Sequence, residues 1–429
     1  MQIDRTLQPE IKRMEPFSVS KPTKLRMSNG IPLRIIREGD QEVVRLDMVF
    51  GAGRWQQSQL LQSLFANRML REGSRKFSAE QIAAKLDYYG SKLDLCVGIM
   101  HSQITIYSLH KYFPQTLEIL EAIVKEAIFP DDRLETVLYS NKQQFIVNKN
   151  KVSFLGRKTL RLAAFGGNHP MGATATEEDY DRITSEILKE YYQTYYHSTN
   201  CSLYLSGYVT AEVVKQVESV FGSVSWGEVK DRIAPDSYPI EMTKQHRIFC
   251  PKEDALQSNV QLGWHSLQRS HPDYLKLRVL MTVFGGYFGS RLMSNIREKK
   301  GLTYGIVAGI YDFPDTGLGV VTCETATQNV ELLIQEIYRE MERLRTELIP
   351  EEELEMVRNY ILGEMARTYE GAFSLAEAWV NIEMGNLTED YPDRSMKAVD
   401  EVSAEELREL AQRYLREESI FEVVAGKEK

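Results

Sequence analysis

The stretch GGYFGSRLMSNIREKKGLTY, residues 285–304, decides how this chain is read. Three glycines, Gly285, Gly286 and Gly289, break its first half and predict a loop. Over 291–300, Leu292 and Ile296 recur at helical spacing, and the run closes on Lys299, Lys300 and Gly301. That is a helix with its stop signal: cations suit the negative end of the helix dipole, and glycine supplies the left-handed residue just past the end. Residues 303–310 then turn small, apolar and β-prone, which puts Arg297 in the last helical turn and Tyr304 at the head of a strand. A tight helix-to-strand turn can aim both side chains at one point. There a guanidinium and a phenol, donors that keep their protons near neutral pH, could hold a peptide carbonyl. The ordinary reading stands beside it, since an arginine near a helix C-terminus and a tyrosine in a strand are each favoured locally. The glycine pair is no phosphate cradle, because neither a Gly-Lys-Ser/Thr run nor the GxGxxG spacing is present.

Working outward, 303–310 and 318–323 read as paired strands, a helix covers 330–344, and Pro350 starts another with acidic residues behind it. The upstream half carries the same plan. Strands over 92–99 and 103–109 precede a helix over 116–127, and Pro130 starts the next with Asp131 and Asp132 in its first turn. The run PDDRLETV at 130–137 lines up with PEEELEMV at 350–357. This ordered self-similarity predicts an α+β fold of two homologous domains, 1–221 and 244–429, joined by a polar, proline-containing linker over 222–243. Each domain is expected to be a mainly antiparallel sheet covered by helices on one face. Nearer the N-terminus, Asn29-Gly30 between two apolar runs signals a hairpin, and 43–50 reads as a further strand. A helix over 59–70 turns Leu60, Leu61, Leu64 and Phe65 inward, and a capping box from Ser78 to Gln81 opens another that stops at Gly90.

The 429 residues exceed what one core usually organises, and 43% apolar with 26% charged residues is ordinary for a globular protein. A net charge of −9 with no basic block argues against nucleic acid. No apolar run is long enough to span a membrane, and charges near the N-terminus leave no signal-peptide core, so a cytoplasmic protein without membrane contact is expected. Cys96, Cys201, Cys250 and Cys323 lie far apart with no CxxC, which reads as buried thiols in a reducing compartment.

With helix, loop and repeat placed, nearly the whole chain resembles the pitrilysin/insulinase family of zinc peptidases, in particular small bacterial members of two homologous domains. The most specific match is the opening stretch: Gly285-Gly286, Ser290-Arg291-Leu292, Ile296-Arg297-Glu298-Lys299, Gly301-Leu302 and Tyr304 resemble the family's second-domain signature, whose Arg and Tyr contact substrate. The resemblance therefore implies substrate contact by Arg297 and Tyr304, with Gly285 and Gly286 beside them. The first-domain signature, an inverted zinc motif His-x-x-Glu-His, is lost. Counting back from Gly73-Ser74 puts Leu64, Asn67 and Arg68 at those positions. They still share a helix face. Leu64 offers no lone pair, Asn67 is no general base, and Arg68 would set a permanent cation where zinc should sit. The family's third ligand, a Glu in the helix begun at Pro130, has no counterpart either, because 136–176 holds no Asp or Glu.

By this resemblance the chain is a non-catalytic, substrate-binding subunit of a heterodimeric zinc metalloendopeptidase, without a cofactor of its own. It would supply Arg297 and Tyr304 to an active site whose zinc sits on a homologous partner bearing His-x-x-Glu-His. Its expected ligand is unfolded peptide held in extended form. The alternative is a non-proteolytic peptide-binding or scaffold protein of the same fold. An independent hydrolase has no supporting residues: the seven histidines lack ligand spacing and no GxSxG is present.

Overall fold

In a computed structural model the described residues are Thr6, 12–229 and 237–428. The middle of the expected linker, 230–236, lies outside them. A six-stranded sheet has the order β1-β2-β6-β3-β5-β4, built from β1 (Thr23–Arg26), β2 (Pro32–Ile36), β3 (Val43–Phe50), β4 (Lys92–Val97), β5 (Ser102–Leu109) and β6 (Cys201–Gly207). A five-stranded sheet has the order β7-β11-β8-β10-β9, from β7 (Arg247–Pro251), β8 (Ser258–Ser266), β9 (Thr303–Asp312), β10 (Gly317–Thr325) and β11 (Phe421–Gly426).

Without β1, one arm of the Asn29-Gly30 hairpin, the two sheets have the same plan. The parallel pair β2/β6 corresponds to β7/β11, and the antiparallel pairs β6/β3, β3/β5 and β5/β4 correspond to β11/β8, β8/β10 and β10/β9. The connections repeat as well. Between β5 and β6 run Phe113–Lys125, Asp131–Lys149, Val152–Phe165, Glu177–Asp181 and Ser185–Tyr195. Between β10 and β11 run Val330–Thr346, Glu351–Thr368, Ala372–Met384, Tyr391–Glu401 and Ala404–Tyr414. Pro130 and Pro350 stand immediately before the matching second helix of each set. The fold is α+β in two repeating halves.

Strand alternation explains where the cores lie. Leu46, Met48 and Phe50 of β3, Ile104 and Ile106 of β5, and Leu203 and Leu205 of β6 turn to one face and pack with Phe65, Leu117 and Leu120. Burying each such side chain contributes roughly 1.5–3 kcal/mol. The opposite face of this sheet is polar and buried. Arg45 pairs with Asp47 at 2.8 Å, and Thr105 Oγ1 and Gln103 Nε2 donate to Asp47 at 2.6 and 2.9 Å.

That second face is closed by helix Ala372–Met384 from the other half. Glu377 bonds to Arg45 at 2.6 Å, Glu383 accepts from Arg34 and the Tyr204 hydroxyl at 2.7 Å each, and Leu375, Trp379 and Val380 cluster with Ile36 and Val49. Reciprocally, Val152–Phe165 of the first half crosses β8 and β11. Glycine permits the approach: a Cβ on Gly156 would lie 2.3 Å from Asn259 Oδ1, and one on Gly263 2.6 Å from Leu160. Each half thus lends a helix to the sheet of the other.

Some local expectations shift. The first helix begins at Gln62, since Leu61 has φ 73°, and the helix expected over 116–127 spans Phe113–Lys125. Cys201 and Cys323 are buried as expected, but Cys250 is half-buried and Cys96 exposed, because β7 and β4 are edge strands. No helix among the described residues is long and apolar enough to cross a membrane.

Candidate functional site

Gly285 and Gly286 do not form a loop. They end a widened, π-helical turn, Thr282–Gly286, that continues helix Tyr274–Met281. Gly285 is buried, and a Cβ there would meet the Ala308 Cβ at 2.6 Å and its backbone nitrogen at 2.8 Å. Its absent side chain lets the turn lie against β9. Gly286 is exposed at the end of the turn.

The next helix starts at Arg291 and widens into π-helical turns over Met293–Lys299. Side chains on the following helices fix it. Arg291 grips Glu353 with two hydrogen bonds of 2.9 Å, and Asn295 Nδ2 donates to Glu336 at 3.0 Å and to Glu340 at 2.8 Å. Lys300 also pairs with Glu336. Burial raises the Glu336 carboxyl, but the hydrogen bonds from Lys300 and Asn295 outweigh it and hold that group below its ordinary range. Gly301, at φ 63°, ends the helix with its N–H on the Arg297 carbonyl at 3.1 Å.

Tyr304 owes its position to a bulge. Thr303 pairs with Thr325 and Ile306 with Cys323, so Tyr304 and Gly305 of β9 face the single residue Glu324 of β10. A bulge of this kind re-aims a side chain. Tyr304 is 93% exposed, and its backbone carbonyl accepts the Nε–H of Arg297 at 3.1 Å. The guanidinium carbon lies 4.6 Å from the centre of the exposed Phe288 ring, a cation–π contact. Phe288 escaped the sequence reading; its signal was an aromatic pair, Tyr287-Phe288, set between glycines. Arg297 and Tyr304 border an open groove of about 500 Å³ that Gln257, Glu324, Ala326 and Asn329 also line. β9 pairs only with β10 among the described strands, so its outer edge carries no second strand. The groove presents the Arg297 guanidinium and the exposed Tyr304 side chain.

The vacated zinc positions lie on helix Gln62–Arg68 and do not line this groove. Leu64 is half-buried. Asn67 is fully buried and donates to the Tyr196 hydroxyl at 3.2 Å, while burial pushes that phenol up to about 12. Arg68 donates through Nη1 to Asn141 Oδ1 on Asp131–Lys149. A side-chain hydrogen bond therefore joins helix Gln62–Arg68 to helix Asp131–Lys149. This donor set does not fit zinc, and no three His, Cys, Asp or Glu side chains among the described residues gather into a metal-sized cluster. Two buried or half-buried histidines are structural: His169 Nε2 meets Asp315 at 3.1 Å while Nδ1 accepts from the Met171 N–H, and His265 Nε2 donates to the Ala164 carbonyl at 2.9 Å.

The family model described as "Peptidase M16 inactive domain" matches residues 182–361, which include the Arg297/Tyr304 stretch. The crystal structure of a peptidase M16 inactive domain from Pseudomonas fluorescens superposes with a TM-score of 0.83 at 20% identity, covering 95% of this chain and 98% of that one. The chain thus shares the fold of that M16 structure and, over residues 182–361, resembles the family model in sequence. It is 23% identical over 353 residues to a Bacillus subtilis protein named "Uncharacterized zinc protease YmxG", covering 81% of this chain and 84% of that protein. It is 22% identical over 378 residues to a Helicobacter pylori protein named "Non-peptidase homolog YmxG", covering 86% and 85%. The matched model is one described as inactive, and Leu64, Asn67 and Arg68 offer no zinc-binding set.

Proposed function

We propose that the chain is the peptide-holding subunit of a heterodimeric zinc endopeptidase and lends Arg297 and Tyr304 to the active site of a homologous partner that carries His-x-x-Glu-His. The observation that carries this reading is the pairing of an emptied zinc site with an elaborated second site. The helix bearing Arg297 is clamped by Glu353, Glu336 and Glu340, and a bulge turns Tyr304 outward beside a free strand edge. A peptide laid along β9 would present a backbone carbonyl to the guanidinium N–H and phenol O–H groups. Both donate without changing protonation, so they stabilise negative charge growing on that oxygen while the partner's zinc supplies the hydrolytic chemistry.

The test mixes the purified chain with a zinc-bearing homologue and follows gel filtration and cleavage of an unfolded peptide. A one-to-one complex that cleaves, from two chains inactive apart, is expected. Stoichiometric zinc on this chain with cleavage by it alone, or a zinc-bearing homologue whose activity is indifferent to it, would overturn the reading. The second of these outcomes would leave the chain a scaffold.

A further inference from the structure

Helix Val152–Phe165 lies across the second sheet with a definite sidedness. Leu160, Ala163 and Ala164 join the core on that sheet, and Thr159 contacts Cys250 of β7 at 3.1 Å, at one sheet edge. Arg157 and Arg161, one turn apart, fall on the opposite flank, towards β9 at the other edge. There Arg161 lies within electrostatic reach of Tyr311 of β9 and of Arg54. Arg54 is held by the turn after β4: its N–H bonds to the Gly98 carbonyl at 3.1 Å, and that of Trp55 to Ile99 at 2.8 Å. Ile99 in turn packs with Leu160 and Phe313. Arg54, Arg157, Arg161 and the half-exposed Tyr311 therefore fall in one region, beside β9 and the turn after β4.

None of these arginines has a carboxylate or hydrogen-bond acceptor among the described residues, in a chain whose net charge is −9. Arg161 is half-buried, and burial, then Arg54 and Arg157, lower its affinity for the proton. The matching helix of the other half shows the contrast, because its Glu377 is already paired with Arg45. An uncompensated basic cluster beside an unpaired strand edge is completed by an anion carried on an extended chain.

We infer that Arg54, Arg157, Arg161 and Tyr311 bind a carboxylate of a peptide lying along the free edge of β9. This rests on the peptide-holding reading and adds a specificity to it. Tyr304 and Tyr311 stand seven residues apart on one strand, roughly 23 Å, so the carboxylate sits about seven residues from the carbonyl held at Arg297 and Tyr304. Both a chain terminus and an Asp or Glu side chain offer this group.

The experiment measures fluorescence anisotropy of the intact chain, without partner, against labelled unfolded peptides long enough to span β9. One peptide is neutral and amidated, one carries a single glutamate, and one ends in a free acid. The acidic peptides should bind roughly tenfold tighter than the neutral one, and the arm that does so names the source. The difference should shrink as salt rises and disappear in Arg161→Gln. Arg157→Gln, at an exposed position, gives the same loss without disturbing packing. Equal binding of acidic and neutral peptides overturns this inference alone. Binding of none overturns it together with the peptide-holding reading.

Discussion

Arg297 and Tyr304 are joined through the backbone: the Nε–H of the arginine rests on the carbonyl of the tyrosine at 3.1 Å, while the tyrosine ring points to solvent. The two groups are positioned as one unit, with the arginine bracing the bulge that displays the phenol. Removal of Arg297 therefore takes away a donor and loosens the second.

Arg297→Ala and Tyr304→Phe should each lower turnover of the mixed complex by about 10²–10³, the usual cost of removing a donor to a developing oxyanion. Gel filtration should show assembly unchanged. Arg68→Ala, at the emptied zinc position, should leave turnover within about twofold, since it loses only its bond to Asn141. Peptide cleavage measured for the three complexes side by side checks the contrast.

Gly285→Ala should destabilise the fold by about 1–3 kcal/mol, because its methyl group would enter the space of Ala308 and force β9 away from the turn. The damage should reach function through stability. Denaturant unfolding of the variant, beside peptide cleavage by the fraction that remains folded, separates the two.

Glu336→Gln should cost about 1–2 kcal/mol at neutral pH by weakening charge-assisted bonds to Lys300 and Asn295. The sign with pH follows from the lowered carboxyl: its contribution is complete above the ordinary value of 4.5 and is lost as pH falls through the lower folded value. Urea unfolding of both proteins should show the gap at neutral pH and its closure in acid.

Thiol labelling should distinguish the four cysteines. Cys96 is exposed and should react first, Cys250 more slowly. Burial raises Cys323 to about 12 and Cys201 well above its ordinary value, so both should remain unlabelled at neutral pH until the chain is denatured. Mass spectrometry after a timed pulse of reagent reads the order.

The elements legible in the sequence are those that local chemistry defines. The strand expected over 43–50 has those bounds, and the capping box at Ser78 sits where a helix begins. The Arg297/Tyr304 pair was legible as a spacing, but its bulge was not, because a bulge depends on which residue of β10 faces which of β9. The widened turns at Gly285 and along Met293–Lys299 likewise follow from packing against β9. An amphipathic helix does not state which sheet it will cover, so the crossing of Val152–Phe165 and Ala372–Met384 was out of reach. The cluster of Arg54, Arg157 and Arg161 depends on that crossing and was hidden with it.

That crossing also bears on how the chain is made. When β6 leaves the ribosome the first sheet has all its strands, yet Arg45 and Asp47 still lie on a bare surface, since Glu377 and Trp379 belong to a segment synthesised much later. Helix Val152–Phe165 meanwhile waits for strands not yet translated. The nascent first half thus carries two unfinished surfaces at once, the condition under which chaperones engage and premature pairing between neighbouring chains begins.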